Sequence, residues 1–352
     1  MKKTVFYVLL MMLFHMQAFA QSDVMKEVFD TVSREYVGKI TNKDIALKGL
    51  QALSTVDKKI GVEEKEDALY LKKEGRLIKK FKMPTESANA DAWIKMCENV
   101  ISVASKKSEE IDVHDFEMPD RFAAAVLNDL DGHSRYFSVF SENENEEKIK
   151  VQRPFASRVV DNVLLVRIVT FKKDISEQVK TAVFECSKCE GIILDLRGNR
   201  GGFFNEALKI ADLFLDEGII TYTLSDENGV PQYYSASKGD MTGGKPMAVL
   251  VDGVTASAAE VLAGALSEQN RAVLIGTKTY GKGSVQDVKK MDADRAISVT
   301  SSYFYTPSGL KINNVGLTPQ ICVAQNEDCE KEDRFSKDED ILRAVRYVKT
   351  GL

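Results

Sequence analysis

One stretch of the chain, PMAVLVDGVTASAAEVLAGAL, constrains the fold more than any other. The apolar run 247–251 predicts a buried strand, Asp252 and Gly253 predict a turn, and the Ala- and Leu-rich segment after Ser257 predicts a helix. Because a buried strand alternates here with a helix, the pattern favours an α/β core. The same arrangement exposes a serine hydroxyl beside free amides at a helix N-terminus, where negative charge is stabilised.

Ser257 also has a purely structural interpretation, since Ser257-Ala-Ala-Glu260 fits a helix capping box. The loop TKTYGKGSVQ favours a catalytic serine over a simple helix cap, because its glycines let another part of the backbone approach Lys282 closely. A lysine beside a serine can act as its general base, and Gln286 offers an uncharged amide to orient that lysine. Together these residues predict a hydrolase with a Ser–Lys dyad.

A second strand and glycine turn is present in LDLRGNRGG. As half of an oxyanion hole, Gly201 or Gly202 would donate one amide and Ala258 the other, and the sequence leaves open which glycine does so. An ordinary glycine turn is the structural alternative. A phosphate-binding loop is excluded, because no Lys-Ser/Thr pair follows in the required place.

Charge and histidine content exclude several other classes of function. The formal net charge is −5, which argues against nucleic acid as a partner. Only three histidines are present, and His15 lies in the N-terminal segment 1–20, which is interpreted as a signal peptide. A zinc site made of histidines is therefore excluded, and no metal or other cofactor is expected. A Ser–His–Asp triad would have to recruit His133, and a structural role for that loop is favoured instead.

The N-terminus predicts export. Lys2 and Lys3 precede an apolar run, and Ala18-Phe19-Ala20 resembles a cleavage site, so residues 1–20 are interpreted as a signal peptide and the bacterial periplasm as the destination. A retained membrane anchor is the alternative, although the apolar run is short for a membrane span.

The five cysteines have different expected roles. In an oxidising compartment Cys322 and Cys329 could close a short loop. Cys186 and Cys189 have the spacing of a redox motif, but they end a helix rather than begin one, which favours a structural disulfide or inert thiols. Cys97 lies in a helical pattern and is expected in the core.

Patterning divides the rest of the chain into three parts. Residues 21–140 are expected to form a mostly helical region that carries a small β-hairpin at 66–83, where apolar and polar residues alternate. The charged segment SENENEEKIK marks a boundary. Alternating strands and helices then predict a core over 141–325, and residues 326–352 are expected to form a tail with an amphipathic helix.

Four motifs, taken in order, resemble those of the carboxyl-terminal processing serine proteases, also called tail-specific proteases. LDGHSRYF is similar to that family's LDPHS-Tyr element, LDLRGNRGG to LDLRNNPGG, VTASAAEVLAGAL to TASASE, and TKTYGKGSVQ to SFGKGxVQ. TPSG and GLTP match the segment that usually follows, and the resemblance covers roughly residues 120–325. The chain departs from the family pattern at Gly132, Gly198, Arg200 and Ala259.

The resemblance implies an α/β (α+β) fold with a ClpP/crotonase-like protease core, and a secreted endopeptidase active on protein substrates, including sites near their C-termini. When the family's catalytic roles are assigned to the matching positions, the resemblance implies that Ser257 is the nucleophile and Lys282 the general base. Gln286 would then orient that lysine. Protein or peptide substrates are then the expected partners, with an accessory protein and a homo-oligomer as open alternatives.

One family element is not expected here. A PDZ domain usually lies between the LDPHS element and the first core strand, but the interval from Phe137 to Val163 is shorter than the ~50 residues that a folded domain needs. Selection of C-terminal tails is therefore in doubt. Two other functions stay open: a crotonase-like hydratase, which would need a carboxylate in place of Lys282, and a catalytically silent binding protein on the same fold.

Overall fold

The computed structural model describes residues 23–138, 153–225, 229–324, 329–334 and 337–352. The predicted signal peptide (1–20) and the charged segment at 141–150 lie outside the described residues. Among the helices that are described, none is long and apolar enough to cross a membrane.

The chain divides into two compact units. The first spans Met1–Asn145 and Gln286–Ser301, and the second spans Glu146–Val285 and Ser302–Leu352. Residues 286–301 group with the N-terminal part of the chain, and the core expected over 141–325 stays a prediction. Strands β12 (Ser284–Lys290) and β13 (Arg295–Tyr305) both contain residues of each unit.

The first unit is mostly helical with a small sheet. Its elements in chain order are α1 (23–35), α2 (Asn42–Leu50), α3 (Ala52–Val56), β1 (Ile60–Lys65), β2 (Ala68–Lys73), β3 (Arg76–Lys82), α4 (Ala90–Ser105), α5 (Glu109–Val113), a 3-10 turn (Asp115–Glu117), α6 (Met118–Asn128) and β4 (Arg135–Ser138). The segment expected as a hairpin at 66–83 contains β2 and β3, and β1 adds a third antiparallel strand that the alternation did not reveal.

The helices of the first unit bury their apolar faces against one another. On α4 the side chains of Trp93, Cys97 and Val100 recur at helical spacing and are buried, as are Phe29 and Phe122 on the helices that pack in the same core. Cys97 is fully enclosed there, and burial raises the pKa of its thiol. That side chain therefore acts as a core residue.

The second unit is built on a six-stranded sheet. Its strands and helices are β5 (Phe155–Val160), β6 (Val163–Ile168), α7 (Ile175–Glu185), β7 (Gly191–Asp195), α8 (Phe204–Phe214), β8 (Ile219–Leu224), β9 (Gln232–Ser235), β10 (Met247–Val251), α9 (Ala258–Glu268), β11 (Val273–Gly276), β14 (Ile321–Cys322) and α10 (Asp338–Thr350). The sheet order is β14-β11-β10-β7-β6-β5, with β5 antiparallel to β6 and the other neighbouring pairs parallel.

Helices cover both faces of this sheet. Helices α7, α8 and α9 pack on the face that carries Leu164, Leu194 and Val249, whereas α10 packs on the face that carries Leu165 and Ile193. Successive strand residues point to opposite faces, so central strands covered on both sides must be apolar throughout. This explains the uninterrupted burial of β7 and β10 and confirms the expected mixed α/β fold.

A buried ion cluster fastens the tail to this unit. The guanidinium of Arg197 pairs with Asp195 at 2.8 Å and with Asp340 of α10 at 3.2 Å, and all three side chains are at most 1% exposed. Arg334 pairs with the same Asp340 at 2.7 Å. The main-chain carbonyls of Arg334 and Lys337 also accept hydrogen bonds from Arg197. Arg334, Lys337 and Asp340 are thus anchored to the LDLRG turn.

Removing the shared carboxylate should be costly. We expect Asp340→Ala to lower the free energy of unfolding by about 3–5 kcal/mol, because it removes a buried carboxylate that Arg197 and Arg334 share. Glu339→Ala is the matched control: its side chain is 71% exposed and makes one contact with Arg334, so a loss of at most ~1 kcal/mol is expected. Urea unfolding of both variants measures the difference, and equal losses would contradict a buried anchor.

Four of the five cysteines are paired. Cys322 and Cys329 form one disulfide, Cys186 and Cys189 form another, and Cys97 is a buried free thiol. Cys186 caps the C-terminus of α7. A helix C-terminus does not stabilise a thiolate. We therefore interpret the Cys186–Cys189 pair as a structural disulfide rather than a reactive one.

The pairing can be read by thiol labelling. When protein from an oxidising compartment is denatured and alkylated without reductant, we expect labelling at Cys97 alone, with all five cysteines labelled after reduction. Peptide mass spectrometry locates the labels. Alkylation of Cys322 or Cys329 before reduction would contradict the disulfide.

Candidate active site

Ser257 lies at the N-cap of α9 in an unusual backbone conformation. Its φ is 58° and its ψ is −124°, and its side chain is half-buried. A residue with a Cβ atom in this region is strained by about 1–3 kcal/mol, and such strain persists where surrounding contacts hold it, often at functional sites. The sharp turn between β10 and α9 therefore presents a serine at the N-terminal end of a helix.

Gly201 packs directly against this serine. A Cβ atom added to Gly201 would lie 2.9 Å from the Ser257 Cβ and 3.3 Å from the Ala258 nitrogen, and the φ of Gly201 is 101°. Only glycine tolerates both the conformation and the close approach. The LDLRGNRGG turn and the start of α9 are therefore in contact, as the sequence predicted.

The two glycines differ in what their amides do. The Gly201 N–H donates to the Asn199 side-chain oxygen at 2.8 Å, so it is already satisfied. Gly202 is exposed, and within the described part of the chain no acceptor is found for its N–H. As the first residue of α9, Ala258 has no intrahelical acceptor for its own N–H. Because the Gly201 N–H is already satisfied, Gly202 is the better candidate for the second donor of an oxyanion hole, and that role stays a prediction.

The carboxylate of Glu260 connects the serine turn to the lysine loop. It is fully buried and accepts hydrogen bonds from the Ser257 N–H (2.9 Å), the Gly281 N–H (2.7 Å), the Lys282 N–H (2.9 Å) and the Thr279 hydroxyl (2.5 Å). Burial raises the pKa of Glu260, while these four hydrogen bonds oppose that shift. Because every partner donates, the arrangement suits an ionised carboxylate.

This shared acceptor brings the two predicted dyad residues together. The amides of Ser257 and Lys282 both donate to the same oxygen of Glu260, so they can be no farther apart than the sum of the two bond lengths. Lys282 is half-buried, and Tyr280 in the same loop donates its N–H to the Thr255 carbonyl just before the serine. The lysine loop is thereby fixed to the serine turn at several points.

Gln286, the predicted orienting residue, belongs to the first unit. Its side-chain amide donates to the Thr300 hydroxyl at 3.4 Å. The Thr300 amide in turn donates to the hydroxyl of Ser134, which belongs to the LDGHSRYF motif. Within that unit the glutamine is therefore linked, through Thr300, to a side chain of the LDGHSRYF motif.

Asp252 ties the glycine turn to the serine turn. Its fully buried carboxylate accepts hydrogen bonds from the amides of Gly198 and Thr255, both at 3.0 Å, and from the Arg334 amide at 3.1 Å. The Asn199 carbonyl adds another link by accepting from the Ala256 amide. The loops that follow β7 and β10 therefore share one acceptor with the tail.

Residues 329–334, which we call the tail strap, contact both the serine turn and the lysine loop. The Glu332 carbonyl accepts from the Gly253 amide at 2.7 Å and from the Thr277 hydroxyl at 3.1 Å. The Lys331 ammonium donates to the Tyr280 carbonyl at 2.6 Å. One short segment thus holds the chain before Ser257 and the chain before Lys282.

Sequence reasoning missed most of these supports. The sequence predicts Glu260 only as a helix-capping residue, and its spacing from Ser257 does not indicate the contacts with Gly281 and Lys282. Asp252 was interpreted as a turn residue and Asn199 as part of a glycine turn. One feature of the sequence could have pointed to these contacts. Each motif contains an acidic or amide side chain at a position where a solvent-exposed loop would not require one.

Replacing the connecting carboxylate should disturb the site. In Glu260→Gln the amide places an N–H₂ group against backbone N–H donors, so we expect kcat to fall at least tenfold and stability to fall by about 1.5–3 kcal/mol. The matched control is Glu268→Gln on the same helix, whose exposed carboxylate accepts from Ser308. Peptide turnover and urea unfolding check both variants. Wild-type kcat in Glu260→Gln would refute the connecting role.

Part of the chain is similar to known peptidases. Residues 162–323 match the model of Peptidase family S41. The carboxy-terminal-processing protease of Bartonella bacilliformis is 40% identical over 153 residues, which covers 44% of this chain and 34% of the relative. The chloroplastic carboxyl-terminal-processing peptidase 2 of Arabidopsis thaliana is 36% identical over 197 residues, covering 53% and 36%.

The matched region is limited in extent. This chain spans about a third of the length of these curated relatives. Among solved structures, a lipoprotein from Streptococcus agalactiae aligns with a TM-score of 0.52 at 13% identity, over 91% of this chain and all of that one, which indicates a shared fold.

Proposed function

We propose, from the premise that residues 162–323 form a domain of peptidase family S41, that this chain is a serine endopeptidase with a Ser257–Lys282 dyad. The observation that carries the proposal is the shared Glu260 carboxylate. It holds the amides of Ser257 and Lys282 on one oxygen, while Ser257 sits in a strained turn at a helix N-terminus. Ser257 also completes a capping box with Glu260, but a cap alone does not account for the backbone of the lysine loop being held beside it.

The proposed reaction follows from these positions. The Ser257 hydroxyl attacks a peptide carbonyl and transfers its proton to the neutral amine of Lys282, which then protonates the leaving amine. The amides of Gly202 and Ala258 donate to the oxyanion of the tetrahedral intermediate. A water molecule, deprotonated by the same lysine, then hydrolyses the acyl-enzyme and restores the serine. Gln286 is proposed to orient the lysine without pairing its charge.

Substrates and location are proposed on the same basis. The named relatives are carboxyl-terminal processing peptidases, so we infer that protein substrates are cleaved, including near their C-termini. The leader at 1–20 supports export to the periplasm. Binding of an accessory protein or of a second copy is compatible with this activity.

The other two candidate functions are less well supported. A crotonase-like hydratase would need a free carboxylate at the lysine position, and the nearby carboxylate of Glu260 is saturated by four donors. A silent binding protein would have no need to maintain the strained backbone at Ser257.

Paired substitutions test the dyad. We expect Ser257→Ala to abolish casein turnover, and Lys282→Arg to lower it at least a hundredfold, because a guanidinium stays protonated and cannot serve as a base. Gln286→Ala should slow turnover less than Lys282→Ala does, since it removes orientation rather than the base.

The matched controls are Ser267→Ala, at the other end of the same helix, and Lys290→Arg on β12. Both should retain wild-type turnover. Reaction of a fluorophosphonate probe with the wild type, but not with Ser257→Ala, identifies the nucleophile. Wild-type turnover by Lys282→Arg would overturn the base assignment.

A further inference from the structure

Three exposed cations lie on the two loops that form one side of the candidate site. Lys172 and Lys173 follow β6, and Arg200 directly precedes Gly201 and Gly202. We refer to Lys172, Lys173 and Arg200 as the basic rim. At Arg200 the resembling family pattern has proline, so this cation is a departure of the present chain. The rim is also unexpected on a chain whose net charge is −5.

Backbone hydrogen bonds fix the two loops to each other. The Gly201 carbonyl accepts from the Phe171 amide and from the Thr170 hydroxyl, both at 3.0 Å. The Phe203 amide donates to the Phe171 carbonyl at 2.8 Å, and Phe171 and Gly202 form a parallel bridge. The residues that carry the rim are therefore held in register with the glycine proposed as an oxyanion donor.

The rim cations lack a carboxylate partner among the residues that the structure describes. Within the described ranges, none of the three side chains takes part in an ion pair or a side-chain hydrogen bond. Of the carboxylates on the adjoining helices, Glu206 is occupied by Ser176 and Lys209. Asp174 follows the rim in the sequence and is exposed. Exposed cations without a carboxylate partner attract anions rather than stabilise the fold.

We propose that the basic rim binds a carboxylate of the substrate, within about three residues of the scissile bond. The distance follows from chain geometry: Arg200 adjoins Gly201, whose backbone contacts Ser257, and an extended peptide advances about 3.3–3.6 Å per residue. Arginine binds carboxylates through two parallel N–H donors, which gives both affinity and orientation. The ligand is either the substrate's terminal carboxylate or an Asp or Glu side chain.

This inference rests on the proposed peptidase function and specifies its substrate class. The rim would let the second unit itself recognise a carboxylate of the substrate. The sequence alone left selection of a free C-terminus in doubt, because no PDZ domain was expected. Because the rim is exposed, its attraction for a carboxylate should weaken as ionic strength rises.

Peptide libraries of defined ends test the rim. A degenerate short-peptide library is prepared with either a free or an amidated C-terminus, and each form is made with and without Asp and Glu. We expect the wild type to cleave carboxylate-bearing peptides with kcat/KM at least tenfold above that for fully neutral ones. The triple variant Lys172→Gln/Lys173→Gln/Arg200→Gln should reduce this ratio to about one while cleaving neutral peptides at the wild-type rate.

The matched control removes the same charge elsewhere on the unit. Lys180→Gln/Lys188→Gln/Lys238→Gln changes three exposed lysines and should keep the wild-type ratio. A preference lost only on amidation identifies the terminal carboxylate, and one lost only without Asp and Glu identifies a side chain. An unchanged ratio in the rim variant, or a wild-type ratio near one, would overturn the rim. Failure of the wild type to cleave any library would instead refute the peptidase function.

Discussion

The site depends on one buried carboxylate. Glu260 sits at the start of α9, and its two oxygens accept donors from the serine turn on one side and from the lysine loop on the other. A carboxylate removed from water is costly unless its hydrogen bonds are supplied by the protein. Both loops must therefore be in place for Glu260 to be satisfied, and their positions become mutually dependent.

The sheet of the second unit explains why these loops meet. Strands β7, β10 and β11 are parallel neighbours, so the loops at their carboxyl ends emerge at the same edge. The first carries the glycine turn, the second carries Ser257 and the third leads to Lys282. Asp252 and the tail strap then join the three loops by hydrogen bonds, which fix the positions of these loops relative to one another.

Much of this arrangement was accessible from the sequence, and the reasons are local. The apolar runs of β7 and β10 and the spacing of α9 identify a buried strand–turn–helix, and the mixed α/β fold predicted from them is confirmed. The motifs around Ser257, Gly201 and Lys282 were correctly expected to lie together; their catalytic roles stay predictions. Strand β1 and the assignment of 286–301 to the first unit depend on tertiary pairing. Contacts such as those of Asp340 and Glu332 join residues far apart in sequence, which no spacing rule can reveal.

The tail strap has a consequence for when the site can exist. Residues 329–334 follow Ser257 and Lys282 in the chain, yet they brace the loops that carry both. During synthesis, the serine and the lysine leave the ribosome before the strap that braces their loops. The order of the chain thus delays the hydrogen bonds that join the two loops until most of the polypeptide has been made, so the arrangement around Ser257 and Lys282 forms late in synthesis.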